Sequence, residues 1–223
     1  MYDPDQPSAA VNYWVFPLTD EFLGQTRIFH PGAEVPIQRT VRNVTFSGNS
    51  QQTLVVRFAP PACLRLVDPR QTELLNVLHL PTNALPLIQS KPIVFAGSQN
   101  IFPDNIFGKQ AENWCSYFEQ ADLARQMADW PTVVALEAGA TRKGFEPAHE
   151  REWLPFIEAN IQLEQYETAA QLIDQLKNGQ LSTSKTLICG LVERLEATAG
   201  TMEKPARKTF FEKIAGESGC SAP

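Results

Sequence analysis

The residues best placed to do chemistry fall on one short run, Phe118 to Gln126, and on a second run of similar texture, Leu154 to Gln162. Glu119 and Asp122 are three apart, and Glu158 and Gln162 four apart, so each pair shares a helix face. Paired carboxylates can work as general acid and base. On an amphipathic helix the same spacing more often makes a solvated face. Asp122 and Arg125, with Gln126 beside Phe118, form the most distinctive cluster, and its plainest reading is a helix-surface ion pair worth roughly a few tenths of a kcal/mol. His30, His79 and His149 lie far apart, none with a neighbouring ligand at metal spacing. Cys63, Cys115, Cys189 and Cys220 show neither CxxC nor Cys/His spacing, so no metal site is expected and buried free thiols are the plain reading. The GxSxG, GxGxxG and GxxxxGK[ST] patterns are absent. The residues therefore nominate no catalytic group and no cofactor.

Those runs need a scaffold, and the stretch from Gln110 to Gln180 supplies it as two helical hairpins. Each half has a long amphipathic run, a short break ending in an aromatic residue, and a second amphipathic run. The breaks are Ala128-Asp129-Trp130 and Glu164-Gln165-Tyr166, 36 residues apart. That is close to the period of tetratricopeptide repeats, about 34. Alignment on the breaks sets Tyr117 opposite Trp153, Ala121 opposite Ile157 and Val133 opposite Ala169. The pattern predicts helices over 110–128, 131–143, 148–163, 166–178 and 184–199, with Ser182 to Ser184 as N-caps of the last. It also predicts that Tyr117, Trp130, Trp153 and Tyr166 are largely buried at the joints. The fifth helix is expected to cap the stack. In such a stack the face of the first helices lines a groove that holds peptides. Phe118, Asp122, Arg125, Leu154 and Glu158 are the candidate groove residues.

Upstream the texture is β. VNYWVF, TRIFH, RTVRNVTF, TLVVRF and CLRLVD are short strand-like runs, and Gly48-Asn49 is the strongest hairpin signal. Thr72 to Leu78 reads as a short helix, and Pro81, Pro86, Pro92 and Pro103 punctuate an irregular strap. The fold class is α+β: a small N-terminal antiparallel sheet followed by a tetratricopeptide-like helical-hairpin stack. The expected domains are a β-rich domain with its strap over 1–109, the helical domain over 110–200, and a basic, partly disordered tail over 201–223. A net charge of −6 and a pI near 5.2 argue against general nucleic-acid binding. No apolar run approaches the roughly 18 residues that would span a bilayer, and no signal peptide is visible.

Several blocks together resemble one family. They are YDPDQPSAAVNYWVF, VRNVTFSGNSQQTLVVRFAPPACLRLVDP, NALPLIQS, AENWCSYFEQADLARQMADWPTVVAL and EWLPFIEANIQLEQYETAAQL. In this order they resemble the soluble C-terminal region of large bacterial multi-pass membrane proteins of the glycosyltransferase-like type, over roughly residues 2–195. Ala62 and Glu164 stand where that family usually has glycine, and Gln120 where it has lysine. The resemblance implies a non-catalytic accessory or interaction domain of a longer parent, whose membrane-embedded part carries any sugar transfer. Its partner would be a protein or peptide, including that membrane-embedded part. It would be membrane-associated only through the upstream part, on the extracytoplasmic side, and soluble if expressed alone. There Cys63 and Cys115 could pair and tie strand to helix. The alternative is a free-standing soluble scaffold that binds a peptide in its helical groove. An enzyme in its own right is the third reading.

Overall fold

The computed structural model describes residues 36–41, 44–49, 55–57, 59–78, 112–178, 181–199 and 204–220. The chain divides into two units, one of Met1–Val56, Leu66–Arg70 and Leu78–Ser90, the other of Arg57–Arg65, Gln71–Val77 and Lys91–Pro223. In the first, β1 (Pro36–Val41) and β2 (Val44–Asn49) form an antiparallel pair with Val41 opposite Val44 and Pro36 opposite Asn49. The Thr40 and Thr45 hydroxyls meet at 3.0 Å across it. Gly48-Asn49 is therefore not the turn. Both residues lie inside β2, opposite Ile37 and Pro36, and the chain reverses between Val41 and Val44. Asp68 holds Arg70 through its side chain and its backbone N–H, at 2.9–3.2 Å. Two further short strands are β3 (Val56–Arg57) and β4 (Arg65–Leu66). The strand-like runs before residue 36 and the proline-rich strap lie outside the described residues.

The second unit is helical. A short α1 (Thr72–Val77) precedes α2 (Trp114–Gln126), α3 (Trp130–Arg142), a 3₁₀ turn (Glu150–Trp153), α4 (Leu154–Gln162) and α5 (Tyr166–Lys177). Asn113 caps α2 with a reciprocal capping box to Ser116, and Asp129 caps α3 by accepting from Thr132 N–H, with Pro131 in the first turn. The 36-residue spacing is written into the backbone. Ala128 and Glu164 both adopt the left-handed conformation, at φ 57° and 60°. Asp129 N–H donates to Ala124 O at 2.9 Å and Gln165 N–H to Asn160 O at 2.8 Å. Val133 N–H then returns to Asp129 O, and Ala169 N–H to Gln165 O. Both helix ends are thus closed the same way, satisfying carbonyls that would otherwise be orphaned.

Left-handed backbone costs a residue with a Cβ roughly 1–2 kcal/mol, and glycine largely escapes it. Glu164→Gly is therefore expected to stabilise the protein by about 1 kcal/mol, less what is lost from the exposed ion pair with Lys204. Urea unfolding midpoints read the change, and a decrease would mean that Glu164 holds the turn through its side chain.

Each helix packs on the next, from α2 through α5, and α2 also meets α4. α4 is buried on all sides from Leu154 to Ile161, as befits a helix with apolar residues around its circumference. Ala121 and Ile157 are both fully buried, as are Val133 and Ala169, so the bulkier Ile157 is accommodated at its repeat position. The four joint aromatics differ from expectation. Tyr117, Trp130, Trp153 and Tyr166 are only half-buried, whereas Trp114, Phe118, Phe156, Phe210 and Phe211 form the aromatic core. Trp114 meets Trp153 and Phe156 edge-on at 5.2 and 5.6 Å, so its neighbour in the pair stays at the rim.

The stack continues past its expected cap. Helix α6 spans Leu181–Ala199, so Ser184 lies inside it rather than before it, buried, with its hydroxyl donating to Leu176 O at 2.8 Å. The stretch read as a basic, partly disordered tail contains a further helix, α7 (Pro205–Ser218). Phe210, Phe211 and Ile214 bury one face of α7, Tyr166 stacks on Phe210 at 5.0 Å, and Cys189 is bonded to Cys220. α7 packs on α6 and α5, making a third hairpin. Among the described residues no helix is long and apolar enough to cross a membrane.

Candidate functional site

A line of charged residues runs along the first helices of the three hairpins. Asp122, Glu158 and Arg194 follow one another at intervals of 36 residues on α2, α4 and α6. Arg194 is the hub. Its Nε and Nη2 donate to Glu73 of α1 at 2.8–3.2 Å, and its Nη1 and Nη2 donate to Glu158 at 2.8 and 3.0 Å. Arg125 donates to Asp122 at 3.0 Å and stands 3.9 Å from Glu158. The Glu73 side chain is 0% exposed and those of Asp122 and Glu158 5% each, so this is an interior network. Burial alone would lower the pKa of Arg194. Hydrogen bonds and charge from Glu158 and Glu73 outweigh that and raise it.

Two pieces of the chain upstream of the stack cover this line. Cys63 is bonded to Cys115 of α2, and its N–H donates to buried Glu152 at 2.9 Å. The guanidinium of Arg65 lies 4.8 Å from the centre of the Phe118 ring and donates to Arg151 O at 3.1 Å. Burial pushes its pKa down to about 10, against the pull of Asp122 and with the push of Arg125 and Arg151. α1 packs on α6, where Gly190 allows the approach: a Cβ there would stand 2.6 Å from Glu73 Cβ and 3.2 Å from its Cα. Any larger residue at 190 must push α1 away.

The five candidate groove residues therefore come together, but not around an open groove. Phe118 and Leu154 are fully buried, and Asp122, Arg125 and Glu158 almost so. Arg65 lies over Phe118 and Glu73 on Arg194 at that face, and Arg125 with Asp122 is a buried pair, where the sequence suggested a surface one. The free-thiol reading also gives way, because all four cysteines are bonded, across 52 and 31 residues. Sequence reasoning missed Arg65, Glu73, Glu152 and Arg194. One signal was available for Arg194, since it falls 36 residues beyond Glu158.

Chemically, the arrangement commits its carboxylates to arginines and backbone N–H groups, away from solvent. Among the described residues no cluster of His, Cys, Asp or Glu is placed to hold a metal ion. Outside the network, Asn160 donates to Glu137 at 3.0 Å, bridging α4 and α3. Burial raises the Glu137 pKa although that hydrogen bond opposes it. A folded pKa above the unfolded one means stability that is present below the ordinary glutamate range and is lost as pH rises through the raised value. Glu137→Gln should flatten the stability profile on that acidic limb, as read by urea midpoints against pH; an unchanged slope would exclude Glu137 as its source. No family model matches this chain, and neither do curated proteins or solved structures.

Proposed function

We propose that this chain is a non-catalytic interaction domain belonging to a membrane glycosyltransferase-like parent, held on the extracytoplasmic side. The observation that carries the reading is the fate of its buried carboxylates. Glu73, Asp122 and Glu158 each pair with an arginine at hydrogen-bond distance in the interior, where a general base would instead need access to substrate. Two disulfides support the side of the membrane, because such bonds persist in oxidising compartments and are rare in the cytosol. With the network face covered, partner contact falls to the exposed positions of the second helices, such as Thr132 and Ala135 on α3 and Gln171 and Asp174 on α5.

A photo-crosslinking residue at Ala135 or Gln171, introduced in the native host, tests this. Cross-links to an envelope membrane protein, or to membrane-embedded segments of the same polypeptide, are expected. The reading fails if the purified chain turns over lipid-linked sugar donors or hydrolase substrates and loses that turnover on mutation of a single acidic residue.

A further inference from the structure

On the covered face of the first helices the upstream pieces behave as a ligand does: a cation over an aromatic ring at one end, Arg65 on Phe118, and a carboxylate gripped by a guanidinium at the other, Glu73 on Arg194. The fit is incomplete. Arg65 Nη1 and both side-chain polar atoms of Gln71 are buried without a hydrogen-bond partner, although the two residues are 5% and 1% exposed. Each such atom makes no hydrogen bond within the protein, which weakens the hold of these pieces relative to a segment that supplies a partner there or omits the polar group. The covalent tie through Cys63–Cys115 makes up for this by keeping the pieces at high local concentration.

We propose that residues 59–65 and 71–77 are an exchangeable internal ligand, and that the face of α2, α4 and α6 beneath them takes a partner peptide carrying an arginine and, eight residues on, a glutamate. The proposal rests on the interaction-domain reading and adds a second surface to the outer positions of α3 and α5, one that opens only when the internal segment leaves. Reduction of Cys63–Cys115 opens the face. An added dithiol supplies two electrons and two protons, becomes a disulfide itself, and leaves Cys63 and Cys115 as thiols.

The probe is a fluorescent peptide of the chain's own residues 62–78 with serine in place of Cys63, added to the full chain and followed by anisotropy. Two variants loosen the occupant in different ways: Cys63→Ser removes the tie, and Glu73→Gln in the full chain takes the charged partner from Arg194 with the tie intact. Both are expected to bind the probe at least tenfold more tightly than the oxidised wild type. A probe with glutamine for Glu73 should lose about tenfold. Hydrogen exchange on the wild type guards against unfolding. Added dithiol should speed exchange at 63–65 and 71–77 while α2 to α5 stay protected. Equal binding by variants and wild type, indifference to the glutamate, or exchange of the whole unit together would each overturn the proposal. The outer-face cross-links at Ala135 and Gln171 do not depend on this exchange, so their presence or loss judges the function reading separately.

Discussion

Replacing Arg194 by alanine is expected to cost about 3–5 kcal/mol, the usual loss when a buried ion pair is broken from one side. The size follows from what is left behind. The Glu73 and Glu158 carboxyl groups would stay inside the protein, one side chain 0% and the other 5% exposed, with the hub of their hydrogen bonds gone. Asp122 would keep its bond to Arg125, and Glu158 would retain only the 3.9 Å approach of that residue. A lysine at 194 should recover part of the loss, since a single ammonium cannot serve both carboxylates in the forked geometry that a guanidinium provides. The stricter test replaces the group as a whole. Arg194→Met combined with Glu73→Leu and Glu158→Met removes every charge whose partner is lost, and stability should return towards that of the wild type. Chemical denaturation of the single, double and triple variants gives the cycle. If Arg194→Ala changes the midpoint by less than about 1 kcal/mol, the network lies close enough to water to be replaced by it.

The parts of this architecture that local sequence specifies were legible. The breaks at Ala128-Asp129-Trp130 and Glu164-Gln165-Tyr166 fix where two helices end, and their backbone hydrogen bonds repeat at the same 36-residue interval. Asp129 and Pro131 mark the start of α3 through chemistry confined to one turn. The helix after Thr72 was readable for similar reasons. What was hidden depends on residues far apart in sequence. Glu73 meets Arg194 across 121 positions and Cys63 meets Glu152 across 89, and no periodicity links such pairs. Burial of the charged face was hidden for the same reason. An amphipathic helix whose polar side is covered by another piece of the chain has the same pattern as one whose polar side meets water. The turn at Gly48-Asn49 misled because glycine and asparagine tolerate a turn without requiring one, and the pairing of Pro36–Val41 with Val44–Asn49 places them in a strand.

Phe118 separates the covered face from an open groove most directly. If it lay in an open groove, Phe118→Ala would weaken a partner and leave the fold nearly untouched. As the structure has it, the ring is 0% exposed and carries the Arg65 guanidinium on its face. Deleting the ring leaves a cavity in a core that α2 shares with α3 and α4. Truncation of a buried phenylalanine costs about 3–5 kcal/mol, and a cation–π contact in a dry setting adds up to about 2. For a domain of this size that corresponds to a fall in Tm of about 10 °C. Phe118→Leu restores most of the volume but not the π face, so it should lose clearly less, with the residual deficit attributable to Arg65. Adding Arg65→Met to Phe118→Leu then checks the attribution. The arginine would otherwise sit 5% exposed with one nitrogen already unpartnered, and its removal should be neutral or stabilising in that background. Thermal unfolding of the four proteins measures the coupling. A Phe118→Ala variant that melts within about 2 °C of the wild type would place Phe118 at a surface and reopen the groove.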